Sequence, residues 1–261
     1  MNIGAQMYTV RERCQTPEDF GRSMERVAAM GYKAVQLSAG GDFPPEEARA
    51  AADRHGLRII LTHTAPQKIK DDTQAVIDAH KTLGAGYVGI GMMPAEYRDG
   101  ADGAKRFIAD YTPAAEKLAA AGLKLMYHNH AFEFERRGRL SVLERLAEGF
   151  DPAVLGFTLD VYWIAYAGGD PAFWLKKLSG RIDTVHFKDM KISGGEQRMC
   201  EILEGNLNWG AVLLAAENGG VKWAFVEQDD CYGGDPFTCL ETSYRNLTAF
   251  TQQYSLIYCH M

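Results

Sequence analysis

Ionisable side chains recur directly after short apolar runs in the second half of the chain. Asp160 follows Gly-Phe-Thr-Leu, His186 follows Thr-Val, and Glu227 follows Trp-Ala-Phe-Val. Buried carboxylates that lie close together repel one another unless a cation sits among them. Two or three carboxylates with one imidazole suit Mn²⁺, Mg²⁺, Co²⁺ or Zn²⁺ better than a metal that prefers thiolates. These residues therefore predict a site for one divalent metal ion, provided that the fold brings them together.

Several other polar side chains stand at or near the ends of apolar runs and could bind a hydroxylated ligand or carry protons. A single histidine in such a position is more often an ordinary hydrogen-bonding residue, and an aspartate there can cap a turn. The acidic run 227–230 can also be interpreted as a solvated loop edge. Recurrence at one strand end after another favours a shared site. The additional candidates are Tyr8, Gln36, His63, His128, His130, Glu133 and Lys188.

Apolar runs alternate with amphipathic stretches along the chain, which predicts alternating strands and helices. Such strands pair in parallel, and eight strand–helix units in about 250 residues are typical of a TIM barrel. We therefore predict a single (β/α)8 barrel domain over residues 1–261, with its chemistry at the carboxyl ends of the strands. The predicted strands cover residues 2–8, 34–38, 58–63, 87–92, 123–129, 155–161, 182–187 and 221–227.

Two local sequence features bear on the predicted barrel. An open doubly wound sheet is the alternative fold, but it would want a G-x-G-x-x-G motif after the first strand. The chain has Met-Tyr-Thr-Val-Arg at residues 7–11 instead. Pro113 falls inside the long helix predicted over 104–121, where it predicts a kink or a break.

The chain has 261 residues and a formal net charge of −6, from 28 basic and 34 acidic side chains. Nucleic-acid binding needs a basic face, so this charge argues against nucleic acid as a partner. No apolar run approaches the ~20 residues of a membrane span, and the first ten residues do not resemble a signal peptide. The scattered cysteines indicate reduced thiols, and we expect a cytoplasmic protein without a membrane partner. They are Cys14, Cys200, Cys231, Cys239 and Cys259.

Five segments carry a family resemblance: GAQMYTVR at 4–11, YHNHAFEF at 127–134, LDVYW at 159–163, HFKD at 186–189 and VEQD at 226–229. Together they resemble the sugar phosphate isomerase/epimerase family of xylose-isomerase-like TIM barrels. The resemblance runs over nearly the whole chain. That family includes isomerases, epimerases, dehydratases, lyases and deglycosidases, so the resemblance leaves the substrate open.

The resemblance implies a metal held by glutamate, aspartate, histidine and glutamate from strands in the last half of the barrel. Asp160, His186 and Glu227 match three of these positions directly. The fifth predicted strand carries His128 where family members often have the first glutamate. We predict Glu133 as the fourth ligand, with His128 as the alternative. Mn²⁺ is the ion we expect first, and Mg²⁺, Co²⁺ and Zn²⁺ are the alternatives.

The activity implied by the resemblance is isomerisation or epimerisation of a sugar or keto-sugar by proton transfer through an enediolate. Glu133 and Glu227 would move the proton, assisted by His130 and Lys188. The substrate would contact Tyr8, Gln36, His63, His128 and Trp163.

Other functions remain open at this point. A lyase, hydratase or deglycosidase acting on 3-keto-sugars would use the same metal and the same enolate. A sugar-binding barrel without catalysis is a remote alternative, and a related DNA-repair endonuclease is disfavoured by the negative charge. The expected partner is a small sugar, and a homo-oligomer is left open.

Overall fold

Eight parallel strands close into a barrel in the computed structural model, which describes residues 1–258. The barrel order is β1-β12-β9-β8-β5-β4-β3-β2, and the remaining strands pair as two antiparallel hairpins, β6–β7 and β10–β11. In chain order the strands are β1 (Asn2–Gln6), β2 (Ala34–Leu37), β3 (Arg58–His63), β4 (Tyr87–Ile90), β5 (Lys124–His128), β6 (Arg136–Arg137), β7 (Leu140–Ser141), β8 (Leu155–Asp160), β9 (Thr184–Phe187), β10 (Asp189–Ser193), β11 (Glu196–Cys200) and β12 (Trp223–Val226).

Helices cover the outside of the barrel between the strands. Thr16 caps the first helix by accepting a hydrogen bond from the Asp19 backbone, and Gly84 ends the fourth with φ of 70°. Among the described helices, none has the length and apolar character needed to cross a bilayer. The helices are α1 (Pro17–Ala29), α2 (Pro45–Arg54), α3 (Pro66–Asp71), α4 (Thr73–Leu83), α5 (Ala101–Ala120), α6 (Val142–Gly149), α7 (Val161–Tyr166), α8 (Pro171–Lys177), α9 (Trp209–Asn218) and α10 (Pro236–Tyr258).

Two apolar layers hold the fold together. The larger lies between the strands and the surrounding helices. The smaller consists of buried side chains that include Met126 and Phe225, with Tyr87 and Trp223 packed against them. Side chains two residues apart on a strand point to the same face. Met126 and Phe225 therefore place His128 and Glu227 on the same face, one step closer to the carboxyl ends of their strands.

The predicted TIM barrel is confirmed, and several local elements differ from the prediction. The first strand ends at Gln6, and residues Met7–Arg13 form a 3-10 helix. Pro113 lies within the unbroken α5, because the buried Phe107, Tyr111 and Leu118 hold that helix against the barrel. The β10–β11 hairpin was not predicted from the sequence, and Cys259 lies outside the described residues.

The β10–β11 hairpin and the loop after it are organised by Asp189. Its carboxylate accepts hydrogen bonds from the backbone of Leu203 and Gly205, and from the indole of Trp209 at 2.6 Å. The side chain of Asp189 is therefore used by the loop and is not available to the barrel mouth.

Glu144 joins α6 to α8 and should contribute measurably to stability. Its carboxylate accepts from the Ser141 backbone at 2.7 Å and pairs with Lys177, while its side chain is 9% exposed. Burial alone would raise the pKa of Glu144, but Lys177 and Ser141 outweigh it and lower the pKa from 4.5 to about 2. Glu144→Gln should therefore reduce the free energy of unfolding at pH 7 by about 1–2 kcal/mol.

This contribution should depend on pH in one direction. Because the pKa is depressed in the folded protein, the stability is present above pH 4.5 and is lost as the pH falls towards 2. Urea denaturation of the wild type and Glu144→Gln at pH 7 and at pH 3 checks this. The exposed Glu148→Gln, on the same helix, is the matched control. A difference between Glu144→Gln and the wild type that grew at low pH would contradict the assignment.

Candidate metal centre and active-site cavity

Four buried side chains converge at the carboxyl ends of four adjacent barrel strands. His128 ends β5, Asp160 ends β8, His186 lies on β9, and Glu227 follows β12. One ligand atom from each lies within 4.8 Å of the other three. The parallel barrel explains this convergence, because residues far apart in sequence lie at the same rim when each stands at the carboxyl end of its own strand.

Both histidines in this group turn one ring nitrogen inwards. The Nδ1 of His128 lies 2.9 Å from the carbonyl oxygen of Gly91, which can only accept, so Nδ1 donates and Nε2 faces Asp160. The Nε2 of His186 lies 2.7 Å from the Oε1 of Gln36, so Nε2 donates and Nδ1 faces Glu227. Such outer hydrogen bonds fix the tautomer and ring orientation of metal-binding histidines.

The two carboxylates complete the group of four potential metal ligands, whose ligand atoms face one another. Asp160 Oδ2 lies 3.3 Å from His128 Nε2, and Glu227 Oε2 lies 2.9 Å from His186 Nδ1. His186 Nδ1 and Glu227 Oε2 are buried, yet neither has a hydrogen bond of acceptable alignment. Unpaired buried polar atoms are costly, and a divalent cation would satisfy all four donors at once. The residues therefore fit a metal ion that takes nitrogen and oxygen ligands.

The ammonium of Lys188 lies beside these carboxylates. Its Nζ is 3.0 Å from Asp160 Oδ2 and 2.9 Å from Glu227 Oε2, and the side chain is 1% exposed. It donates aligned hydrogen bonds to both carboxylate oxygens of Asp229, each at 2.9 Å. Burial works against the charge on Lys188, but the three carboxylates outweigh it and hold its pKa well above the usual value. The positive charge here is therefore permanent.

The histidines of the site fall into two groups, one with a raised pKa and one with a lowered pKa. Burial opposes the charged form of His186, but Glu227 and Asp160 outweigh it and raise its pKa to about 9. Burial and the neighbouring His128 instead lower the pKa of His130 to about 3. Burial also places the pKa of His63 well below its usual value. His63 and His130 are thus neutral near pH 7 and can accept or donate a hydrogen bond to a hydroxyl group.

A cavity of about 380 Å³ opens above the four donors and is large enough for a small polar molecule. Buried atoms without hydrogen bonds, His63 Nε2 and His130 Nδ1, belong to residues in its wall. Trp163 packs beside His130, with ring centroids 5.4 Å apart. The candidate site residues in the cavity wall are Tyr8, His63, His128, His130, Lys188 and Glu227.

Two candidates occupy positions other than those predicted. Glu133, predicted as the fourth ligand, lies apart from the four-residue group. Its oxygens accept from the Tyr127 hydroxyl at 2.7 Å and from the His130 backbone at 2.8 Å. The alternative, His128, is in the group instead. Gln36, predicted to contact substrate, is fully buried behind His186 and orients that ring.

Asp229 was not predicted as a site residue, because the acidic run 227–230 can be interpreted as a solvated loop. Its carboxylate lines the cavity and holds Lys188. Burial, with Glu227 and Asp160 nearby, raises the pKa of Asp229 to about 7 despite Lys188. The sequence signal was its spacing, two residues beyond the end of the eighth predicted strand.

A parallel eight-stranded barrel with a buried group of two histidines and two carboxylates at its carboxyl rim defines the class of this protein. A family model described as a xylose isomerase-like TIM barrel matches residues 24–236, and the chain belongs to that family. The family resemblance seen in the sequence is thereby confirmed.

Individual relatives point to related enzymes. Inosose dehydratase of Bacillus cereus is 30% identical over 138 residues, which make up 52% of this chain and 42% of that protein. The alignment therefore spans less than half of the curated relative. A sugar phosphate isomerase/epimerase from Parabacteroides distasonis superposes with a TM-score of 0.81 at 24% identity, covering 95% of this chain and 93% of that one.

A further structural neighbour was solved with a metal. This xylose isomerase-like TIM barrel protein from Mycobacterium smegmatis, in complex with magnesium, gives a TM-score of 0.73 at 15% identity. The match covers 94% of this chain and 95% of that one. At such identities the likeness to both solved structures shows the fold alone.

Proposed function

We propose that this protein is a divalent-metal-dependent enzyme that moves a proton on a sugar or keto-sugar, as an isomerase or epimerase. One observation carries the proposal: His128, Asp160, His186 and Glu227 direct donor atoms at one point beneath a polar cavity. A divalent ion held there would offset the negative charge that develops when a proton leaves the carbon beside a carbonyl. Mn²⁺ is the ion we propose first.

The side chains around this point divide the remaining work. Glu227 reaches the cavity with its carboxylate and is the proton-transfer group. The neutral imidazoles of His63 and His130 bind hydroxyl groups of the substrate through hydrogen bonds. Tyr8 borders the cavity, and Trp163 supports His130 from behind.

Exchange of substrate hydrogen with solvent tests this function. The Mn²⁺-loaded protein is incubated in D₂O with a panel of aldo-sugars, keto-sugars and keto-cyclitols, and the recovered compounds are analysed by NMR and mass spectrometry. Incorporation of deuterium at a carbon next to a carbonyl, with no change in composition, is the expected result. No exchange with any carbonyl compound in the panel would contradict the proposal.

A dehydratase is the second candidate, favoured by the partial alignment with inosose dehydratase and by the additional imidazole of His130. After the same proton removal, Glu227 would return the proton to a departing β-hydroxyl group, which leaves as water, and the neutral His130 in the cavity would hydrogen-bond to that group. The D₂O experiment separates the two functions. A dehydratase product is lighter by one water, whereas an isomerase or epimerase product is not.

The choice of the fourth ligand gives a direct prediction. His128→Ala should weaken Mn²⁺ binding by at least about 10²-fold, because outer-shell changes alone can reach that size. Glu133→Gln should change the Mn²⁺ affinity by less than about threefold, since its oxygens are occupied by Tyr127 and the His130 backbone. Isothermal titration calorimetry with Mn²⁺ measures both. The reverse order of effects would return Glu133 to the ligand set.

A further inference from the structure

The ammonium of Lys188 lies against the oxygens that a metal ion would need. Its Nζ is 2.9–3.0 Å from Glu227 Oε2 and Asp160 Oδ2, which are the same oxygens that face the inward nitrogens of His186 and His128. A divalent ion bound to these oxygens and the ammonium would stand a few ångströms apart in a buried site. Like charges at that separation repel strongly where water is excluded. If Lys188 kept these contacts once the ion is bound, the repulsion would cost electrostatic free energy.

The contacts of Lys188 are of two kinds. Those to Asp160 and Glu227 are short ion pairs, whereas those to Asp229 are a pair of aligned hydrogen bonds. The Asp229 side chain is 24% exposed and lines the cavity, whereas the Asp160 side chain is fully buried. Asp229 can therefore retain the ammonium when its other two partners turn to a metal ion.

We propose that Lys188 is a displaceable internal cation of the metal centre and that Asp229 is the acceptor that holds it when a divalent ion binds. The inference rests on the proposed metal dependence and deepens it. In the metal-free protein, Lys188 neutralises Asp160 and Glu227 and keeps their oxygens in place. On metal binding it gives up both contacts and remains on Asp229. Both residues are positioning residues in this role.

The proposal predicts opposite effects for two substitutions on Mn²⁺ affinity, measured by calorimetry and by electron paramagnetic resonance of free Mn²⁺. Lys188→Met removes the competing charge and should tighten Mn²⁺ binding by about tenfold or more. Asp229→Asn removes the negative charge and one of the two oxygens that accept from Lys188, and should weaken Mn²⁺ binding by about tenfold or more. In the double variant the Asp229→Asn effect should shrink to less than about threefold, because Asp229 acts through Lys188.

Two comparisons guard against simpler explanations. If Asp229 acted only through its own negative charge, Asp229→Asn would weaken Mn²⁺ binding by the same factor in the wild type and in Lys188→Met. If Lys188 only supported the ligands from outside, Lys188→Met would weaken binding. Lys124→Met, at the opposite end of the barrel where Lys124 pairs with Asp183 at 2.8 Å, is the matched control and should leave the affinity unchanged.

Thermal unfolding provides a second readout. Without metal, Lys188→Met should melt below the wild type, because two buried carboxylates lose their counter-charge. Saturating Mn²⁺ should then raise its Tm by more than that of the wild type. If Lys188→Met fails to fold, Asp229→Asn decides alone, and wild-type affinity in that variant overturns the proposal.

The outcomes separate this inference from the proposed function. Mn²⁺ binding to the wild type with unchanged or weaker binding to Lys188→Met overturns the inference and leaves the metal dependence standing. Absence of Mn²⁺ binding in both proteins overturns both. The proposal is supported if Mn²⁺ binds more tightly to Lys188→Met and more weakly to Asp229→Asn. In the double variant, the loss of Mn²⁺ affinity caused by Asp229→Asn should then nearly disappear.

Discussion

Replacing Asp160 by asparagine should remove Mn²⁺ binding and catalytic turnover together. The Asp160 side chain is fully buried, and its Oδ2 lies 3.3 Å from His128 Nε2 and 3.8 Å from His186 Nδ1. It is thus the donor that lies between the two imidazoles. Lys188 and His128 outweigh burial and keep the pKa of Asp160 well below its usual value, so this side chain supplies a full negative charge.

The asparagine variant is preferred to alanine because Asp160 also has a structural role. Its Oδ1 accepts from the Trp163 backbone at 3.1 Å and caps α7. Asparagine preserves a cap of similar strength, whereas alanine would cost about 1 kcal/mol there. We expect turnover to fall by at least about 10³-fold, the upper range for loss of one charge-stabilising group. Metal occupancy after dialysis against Mn²⁺ should fall with it.

The matched control for this substitution is Asp170→Asn. Asp170 caps α8 in the same way, accepting from the Ala172 backbone at 2.9 Å, but it is exposed. That variant should keep both metal and turnover. Full Mn²⁺ occupancy in a folded Asp160→Asn protein would remove Asp160 from the ligand set.

Replacing Glu227 by glutamine should separate proton transfer from metal binding. Glu227 lies in the cavity wall, and Phe225, two residues earlier on the same strand face, belongs to the buried apolar layer. Lys188 and His186 outweigh burial and hold the pKa of Glu227 well below its usual value. Glutamine keeps the shape and an oxygen ligand but removes the base. Turnover should therefore fall by about 10²–10⁴-fold, the usual contribution of general acid–base catalysis.

Mn²⁺ affinity in Glu227→Gln should fall by less than turnover does, because Asp160, the carboxylate between the two imidazoles, still supplies a full negative charge to the ion. Single-turnover kinetics in parallel with Mn²⁺ calorimetry measures the two effects. Glu133→Gln is the isosteric control, since Glu133 is buried near the same rim but is engaged by Tyr127. Normal turnover in Glu227→Gln together with loss of turnover in Glu133→Gln would assign the proton-transfer role to Glu133 instead.

The alternation of apolar runs with amphipathic stretches was enough to predict the barrel. Asp160, His186 and Glu227 each directly follow a run that had to become a parallel strand. In a closed parallel barrel all carboxyl ends meet at one rim, so their common location followed from the fold class without knowledge of any contact. These three residues were therefore accessible to sequence reasoning.

The fourth donor required the tertiary structure. Glu133 has the expected chemistry and lies five residues after His128, but it falls in the short 3-10 helix Phe132–Phe134. There its oxygens meet the Tyr127 hydroxyl and the His130 backbone. His128 ends β5 itself, and strand alternation with Met126 points it to the barrel interior. The direction of a side chain just beyond a strand depends on the turn, which local sequence specifies weakly.

Two side-chain partnerships could not be predicted from the sequence. Gln36 and His186 are separated by 150 positions, and Lys188 and Asp229 by 41. Each pair forms because strand stagger and loop path set two side chains at hydrogen-bonding distance. Topology alone carries these groups to the rim, so the strand pattern of the chain is enough to place them there. Whether a group donates, accepts or holds a charge depends on distances of a few tenths of an ångström, and those distances are fixed only when the barrel closes.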